Sequence, residues 1–268
     1  MIVEFTGPTG VGKSSCLEQT LRSLASVGVI AGVVGHAANS VPGIPRAFAS
    51  LDRHNWKTDL AALPWAVALL LANPRYAWFV LRAILAAGTH RVAIARAVIR
   101  KLGIHRFLSR PRFHRSVVLV DEGIVHVSHN ILVPSTDDGS AHAYAEFARL
   151  TPLPAISVFL VAPPDILLQR LKSRGDLSPR IRSGNDPDRD LDRFVRDAVR
   201  LFSVIAPLLV QRVPGIHIDT TKTGNDEIGL VVSKMICKML PDDSRTGTCA
   251  PGGDQPTGPE IPQTNDPR

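Results

Sequence analysis

Hydrophobic positions along the chain fall into two kinds of run. Short unbroken apolar stretches alternate with longer segments in which apolar residues recur every three or four positions. Met1–Phe5 is the first short run and reads as a buried strand. Val27 to Val34 (VGVIAGVV) reads as a second, ending in a loop at 35–39. Ser116 to Val120 (SVVLV), Ile156 to Val161 and Ile216 to Asp219 are three more. Between them, Ser15 to Ser26 places Leu17, Leu21 and Leu24 at helical spacing, and Ile166 to Lys172 continues as helix from Pro163-Pro164-Asp165. Asp190 to Gln211 is an amphipathic helix and Glu227 to Leu240 the last one. From about Asp59 to Leu102 the chain is Ala/Leu-rich and helical in period, with breaks at Asn73-Pro74 and near Gly88. Strands separated by helices predict an α/β, doubly wound parallel sheet of about five strands with helices on both faces.

A length of 268 residues allows one or two domains and a sizeable core. With 44% hydrophobic and 21% charged residues the chain is not disordered as a whole. The 28 residues 241–268 hold six prolines, four glycines and no aromatic residue, so a disordered tail is expected after a single domain at 1–240. The longest nearly apolar run, Leu60 to Asn73, is shorter than the ~20 residues a spanning helix needs. Met1-Ile2-Val3-Glu4-Phe5 runs directly into a Gly-rich segment, so no secretory leader is expected. Three distant cysteines (Cys16, Cys237, Cys249) fit neither a disulfide framework nor a zinc site. A cytoplasmic protein is expected, with attachment to a membrane periphery as the alternative.

The first run leads into Gly7, Pro8, Thr9, Gly10, Val11, Gly12, Lys13 and Ser14, a full match to G-x-x-x-x-G-K-[ST], the Walker A or P-loop pattern. The chemistry explains the spelling. Glycines let the backbone wrap closely and aim successive N–H groups inward, making a nest for an anion. The helix that follows, with Ser15 in its first turn, adds its positive N-terminal end. Lys13 is placed to reach β- and γ-phosphates, and the Ser14 hydroxyl to bind Mg²⁺.

Val117-Val118-Leu119-Val120-Asp121 gives four apolar residues and then Asp, the Walker B pattern. A carboxylate at the C-terminal end of a buried parallel strand lies on the face where such sheets bind ligands, and can hold Mg²⁺ beside Ser14. Read alone, a strand-end Asp is also a common loop cap. Glu122 is a candidate general base for water or for a substrate hydroxyl, or else a supporting or solvated carboxylate. Arg170 and Arg174 are four apart, so both leave one helical face where the chain returns to the mouth of the sheet. Two guanidiniums there can clamp a transferring phosphoryl group; the plainer alternative is a basic helix end favoured by the helix dipole.

These segments resemble the P-loop kinases of the nucleoside and nucleotide kinase group, thymidylate kinase most nearly. The likeness is carried by GPTGVGKS (7–14), VVLVDEG (117–123) and FLVAPPDILLQRLKSRGD (159–176), the last similar to the family's lid with R-x-x-x-R. Asp219-Thr220-Thr221-Lys222-Thr223 resembles the loop after the fifth strand, beside the adenine. The resemblance implies a P-loop NTPase-type three-layer sandwich, with a helical acceptor-side insert at about 46–115 and a lid at about 170–188. It also implies ATP with Mg²⁺ as cofactors and transfer of the γ-phosphoryl group to a nucleotide, nucleoside or other small anionic acceptor. By position, Lys13 and Ser14 bind phosphates and magnesium, Asp121 serves metal or acceptor, and Arg170 and Arg174 close on the phosphates. Two departures stand out. Thymidylate kinases follow the strand-end Asp with Arg, whereas Glu122 and Gly123 follow here, and Arg46 is the nearest candidate for an acceptor-phosphate arginine.

Charge is distributed unevenly. Between Ala61 and Arg115 there are ten Lys or Arg and no Asp or Glu. Those ten taken from 31 leave 21 basic against 24 acidic residues elsewhere, a balance of −3 within the net +7. The same insert carries Trp56, Trp65, Trp78 and Tyr76. Apolar helices with Arg edges and Trp near their ends suit an anionic membrane surface, and a large anionic acceptor would draw on the same charges. The alternative is a helical lid with packed apolar faces and solvated arginines. Nucleic acid fits less well, because no stacking platform or recognition helix is present, and a homodimer is a further open alternative. His126 and His129 read as ordinary helix surface rather than metal ligands. Arg189, Arg193, Arg196 and Arg200 among Asp188, Asp192 and Asp197 predict a salt-bridged face. Besides the kinase, a P-loop ATPase or NTP-binding regulatory module remains open on Asp121-Glu122.

Overall fold

A computed structural model of the chain describes residues 1–34, 48, 56–113, 116–133, 140–174 and 186–240. Expectations for 35–39, Arg46, residues 175–185 of the lid, Cys249 and the 241–268 tail lie outside the described residues.

Five strands form one fully parallel sheet: β1 (Ile2–Thr6), β2 (Ala31–Val33), β3 (Val117–Asp121), β4 (Ile156–Val161) and β5 (Gly215–Asp219). Their order is β2-β3-β1-β4-β5. Between and around them run α1 (Lys13–Ser26), α2 (Trp56–Ala72), α3 (Pro74–Ala86), α4 (Arg91–Leu108), α5 (Val127–Leu132), α6 (Ser140–Leu150), α7 (Pro164–Arg174), α8 (Pro187–Val210) and α9 (Asn225–Met239). This is the three-layer α/β sandwich of the P-loop NTPase type. β1 is central and all five of its residues are buried, Glu4 included. Its register pairs Phe5 with Asp121 on one side and Thr6 with Phe159 on the other, so the ends of β1, β3 and β4 open onto one edge.

Each face of the sheet carries its own core. Val3, Phe5, Leu17, Leu24, Val232 and Ile236 join the sheet to α1 and α9. Phe79, Phe147, Phe159, Phe202 and Ile205 pack the helical side under α3, α6 and α8. A third cluster, with Ile2, Ala62, Phe107 and Val118, fixes α2 and α4 to the β2–β3 edge. α8 shows why its sequence is helical: Asp186 caps it by accepting from the Arg189 N–H at 3.2 Å, Pro187 opens the first turn, and Leu191, Val195, Phe202 and Leu209 form one buried stripe. Its outer face is the expected ion-paired one, with Arg196 bonding Asp192 at 2.9 Å and Arg193 lying 3.9 Å from Asp197.

The second strand is shorter than its apolar run. Val27, Gly28 and Val29 donate their N–H groups to Leu24 and Ala25 carbonyls, with Gly28 at φ +75°, so these residues finish α1. Only Ala31–Val33 remains to pair with β3. The breaks at Asn73-Pro74 and Gly88 fall where expected, separating α2, α3 and α4. Two helices, α5 (Val127–Leu132) and α6 (Ser140–Leu150), lie where the chain pattern predicts nothing beyond a helical surface for the two histidines.

Candidate functional site

The loop from Gly7 to Gly12 joins β1 to α1 beneath the open edge of the sheet. Its glycines are needed for stated reasons. A Cβ on Gly7, at φ +149°, would lie 2.3 Å from the Leu160 carbonyl oxygen, and Gly12 ends the loop at φ +97°, where it also caps α1. Pro8 is buried, Thr9 partly exposed, and Gly10 and Val11 are buried, so the loop is seated firmly on the sheet.

Lys13 opens α1 yet its side chain is buried. Its ammonium donates to the Gly7 carbonyl at 3.2 Å and the Pro8 carbonyl at 3.1 Å, and pairs with Glu122 Oε1 at 3.2 Å. The Ser14 hydroxyl donates to Asp121 Oδ2 at 2.9 Å, while Ser15 faces solvent. Asp121 Oδ1 is buried and has no hydrogen-bond partner among the described residues. Burial above all, and then the charge of Glu122, raises the Asp121 carboxyl above its ordinary value. A buried carboxylate oxygen with no donor, next to a hydroxyl, is a hard-oxygen donor set that suits Mg²⁺. Two segments whose contacting residues stand 107 apart in sequence meet here.

Glu122 takes φ +58°, rare outside glycine and asparagine, and so turns its side chain back over the loop. Lys101, from the middle of α4, donates to the Glu122 carbonyl at 2.7 Å and lies 3.4 Å from its carboxylate. His126 Nε2 lies 3.5 Å from the same carboxylate. Burial opposes ionisation of Glu122, but the neighbouring charges of Lys13 and Lys101 outweigh it and hold its carboxyl well below the usual range. Burial also drives His126 well below the ordinary imidazole value. With that ring neutral, the two lysines hold Glu122 charged.

His126 and His129 are not surface residues. Both are buried, they stack at 4.7 Å, and each stacks on Phe202, with Phe194 edge-on to His129. The short α5 turns them inward against α8, which a two-histidine spacing cannot disclose. Glu4 completes the arrangement. From the centre of β1 its carboxylate accepts the Val125 N–H at 3.1 Å and the His126 N–H at 3.0 Å, capping the start of α5. Gly123 makes this approach possible, since a Cβ there would fall 2.7 Å from Glu4 Oε2. Burial raises the Glu4 carboxyl to about 7.

Arg170 reaches across from α7 to donate to the Val11 carbonyl at 3.4 Å and to the Thr220 hydroxyl at 3.2 Å. It thereby ties the Gly7–Gly12 loop to the turn after β5. Arg174 is exposed at the end of α7 and is not drawn into this cluster. The structure thus brings together Lys13, Ser14, Asp121 and Glu122, sets Arg170 against the loop, and leaves Arg174 outside. Glu4, Lys101 and His126 are the members that sequence reasoning missed.

No family model and no curated protein matches the chain. Among solved structures it is similar to deoxyadenosine kinase from M. mycoides with dCMP and a flexible dCDP bound, at 12% identity and a TM-score of 0.48, covering 88% of this chain and 100% of that one. It is also similar to shikimate kinase from Acinetobacter baumannii in complex with shikimate, at 15% identity and 0.40, covering 90% and 95% respectively. At those scores the fold rests on the chain's own strand order and loop, not on the resemblances.

Proposed function

We propose that this chain is an ATP-dependent phosphotransferase that moves the γ-phosphoryl group of ATP to a small acceptor. The contact that supports this best is Ser14 Oγ to Asp121 Oδ2 at 2.9 Å, with Asp121 Oδ1 buried and unbonded beside it. Mg²⁺ held by these two groups would offset phosphate charge and orient the transferring group. Lys13, now bonded to the Gly7 and Pro8 carbonyls, sits over the loop where phosphate oxygens would replace those carbonyls as its acceptors.

Glu122 is then the carboxylate in place to take the proton of an acceptor hydroxyl, with Lys101 fixing its backbone and its charge. Arg170 holds the loop, and in this reading Arg174, exposed one turn further along α7, closes on the phosphates only once they are bound. The likeness to thymidylate kinase makes nucleoside monophosphates the first acceptors to try, followed by nucleosides and other small anionic alcohols.

The test is direct. Purified protein with Mg-ATP and a panel of these acceptors should give a phosphorylated acceptor and ADP in equal amounts, and Lys13→Ala should abolish both. ADP formed with no phosphorylated acceptor, and undiminished by Arg170→Ala with Arg174→Ala, would replace the kinase by an ATPase.

A further inference from the structure

The insert helices have outer faces that their packing does not use. Of the thirteen large hydrophobic residues exposed among the described residues, nine lie between Trp56 and Val92, so the feature belongs to this segment. α2 buries Thr58, Ala62, Ala66 and Leu69 against the body of the protein. Trp56, Leu60, Leu63, Val67 and Leu71 form the opposite stripe, all exposed. α3 does the same, burying Tyr76, Phe79 and Val80 while Trp78, Leu81 and Leu85 face outward. Trp56 and Trp78 are each 61% exposed, a costly placement for indoles unless something covers them.

Charge indicates the cover. The segment 61–115 holds ten cations and no anion, and acids from outside it are taken up by Arg96 and Arg100 (Asp59, 2.7 Å each), Arg82 (Glu146, 3.3 Å) and Lys101 (Glu122, 3.4 Å). Arg75 stands one helical turn before Trp78 on α3, and Arg91 adjoins the exposed Val92 on α4; both are exposed and have no acidic partner among the described residues. A second copy docking through the same face would set arginines against arginines, since the acids beside it, Asp59 and Glu146, are already paired with Arg96, Arg100 and Arg82. Among the described residues no single helix is long and apolar enough to cross a bilayer, and α2 and α3 are bent by 118° at their junction. With one face of each helix packed on the body of the protein, only the outer faces are left to meet a surface.

We infer that the outer faces of α2 and α3 dock on an anionic lipid bilayer, with the apolar stripes and both tryptophans entering the interface and Arg75 and Arg91 meeting the headgroups. This stands apart from the phosphotransfer reading, because none of these residues belongs to the phosphate-loop cluster. Lipid headgroups attract each nearby Arg or Lys by roughly 1 kcal/mol, and tryptophan favours the interfacial depth.

The experiment is co-sedimentation of the full chain with vesicles of equimolar phosphatidylcholine and phosphatidylglycerol, beside vesicles of phosphatidylcholine alone. The expected result is partition to the anionic vesicles only, weakened by salt, with a blue shift of tryptophan emission on binding. Arg75→Glu with Arg91→Glu should lower that partition about tenfold or more. Val67→Glu with Leu71→Glu should remove both the partition and the blue shift, while circular dichroism stays that of the wild type. Absence of sedimentation, equal binding to neutral vesicles, or insensitivity to both variants would overturn the inference. So would a soluble dimer that Val67→Glu with Leu71→Glu makes monomeric.

Discussion

Replacing Glu4 by Gln should change how stability depends on pH. Glu4 is fully buried, and its carboxyl is raised from an ordinary value of 4.5 to about 7. Between those two values the folded chain keeps a proton on Glu4 that the unfolded chain has released. Stability from this group is therefore complete below about pH 4.5 and is lost as pH rises through about 7. At 1.36 kcal/mol per pH unit, a window of about 2.5 units corresponds to about 3 kcal/mol. Gln cannot titrate, so Glu4→Gln removes that slope. It also sets an amide NH₂ toward one of the two N–H groups that the carboxylate now accepts, which costs about 1–3 kcal/mol at every pH. Slope and offset thus separate. Buried histidines such as His105, lowered to about 4 chiefly by burial, titrate in both proteins and cancel in the difference. The assay is urea unfolding of wild type and variant from pH 4.5 to 7.5. The wild type should lose its advantage over the variant as pH rises, by about 3 kcal/mol across the range. A difference constant with pH would refute the assignment of a proton to Glu4.

Two further outcomes follow from single contacts. Lys101→Met removes a cation that holds Glu122 ionised, so the acid limb of the kcat/KM profile should move to higher pH and kcat should fall at least tenfold; an unmoved limb would deny Lys101 its positioning role. Gly103→Ala would put a Cβ 2.2 Å from the Ala62 carbonyl oxygen where α4 crosses α2. Overpacking of about 1–3 kcal/mol outweighs the helix-propensity gain of about 1 kcal/mol, so melting should drop by several degrees, and an unchanged melting curve would show the two helices free to separate.

Much of this arrangement is written locally. The Gly7–Gly12 loop is legible because a tight strand-to-helix turn demands glycines at fixed offsets before Lys13-Ser14. β3 and β4 are legible because strands covered on both faces read as continuous apolar runs. What escapes the sequence depends on distance. Glu4 looks like the polar member of a short strand, and only the central position of β1, with α5 beginning above it, makes it a buried cap. Lys101 is one of ten similar cations in its segment, singled out because its face of α4 meets the turn after β3. His126 and His129 are drawn inside by Phe194 and Phe202, more than sixty residues further along the chain. Arg170 and Arg174 share a helical face by spacing, yet of the two only Arg170 bonds the loop, while Arg174 is exposed.

The central claim is that residues 7–14 together with Asp121 hold a nucleotide's phosphates with magnesium. Isothermal titration of ATP into the protein, with and without Mg²⁺, tests it most directly. Saturable one-to-one binding is predicted, strengthened by Mg²⁺ in the wild type and not in Asp121→Asn, and lost in Lys13→Ala. No heat of binding with Mg-ATP, or a magnesium effect that survives Asp121→Asn, would contradict it.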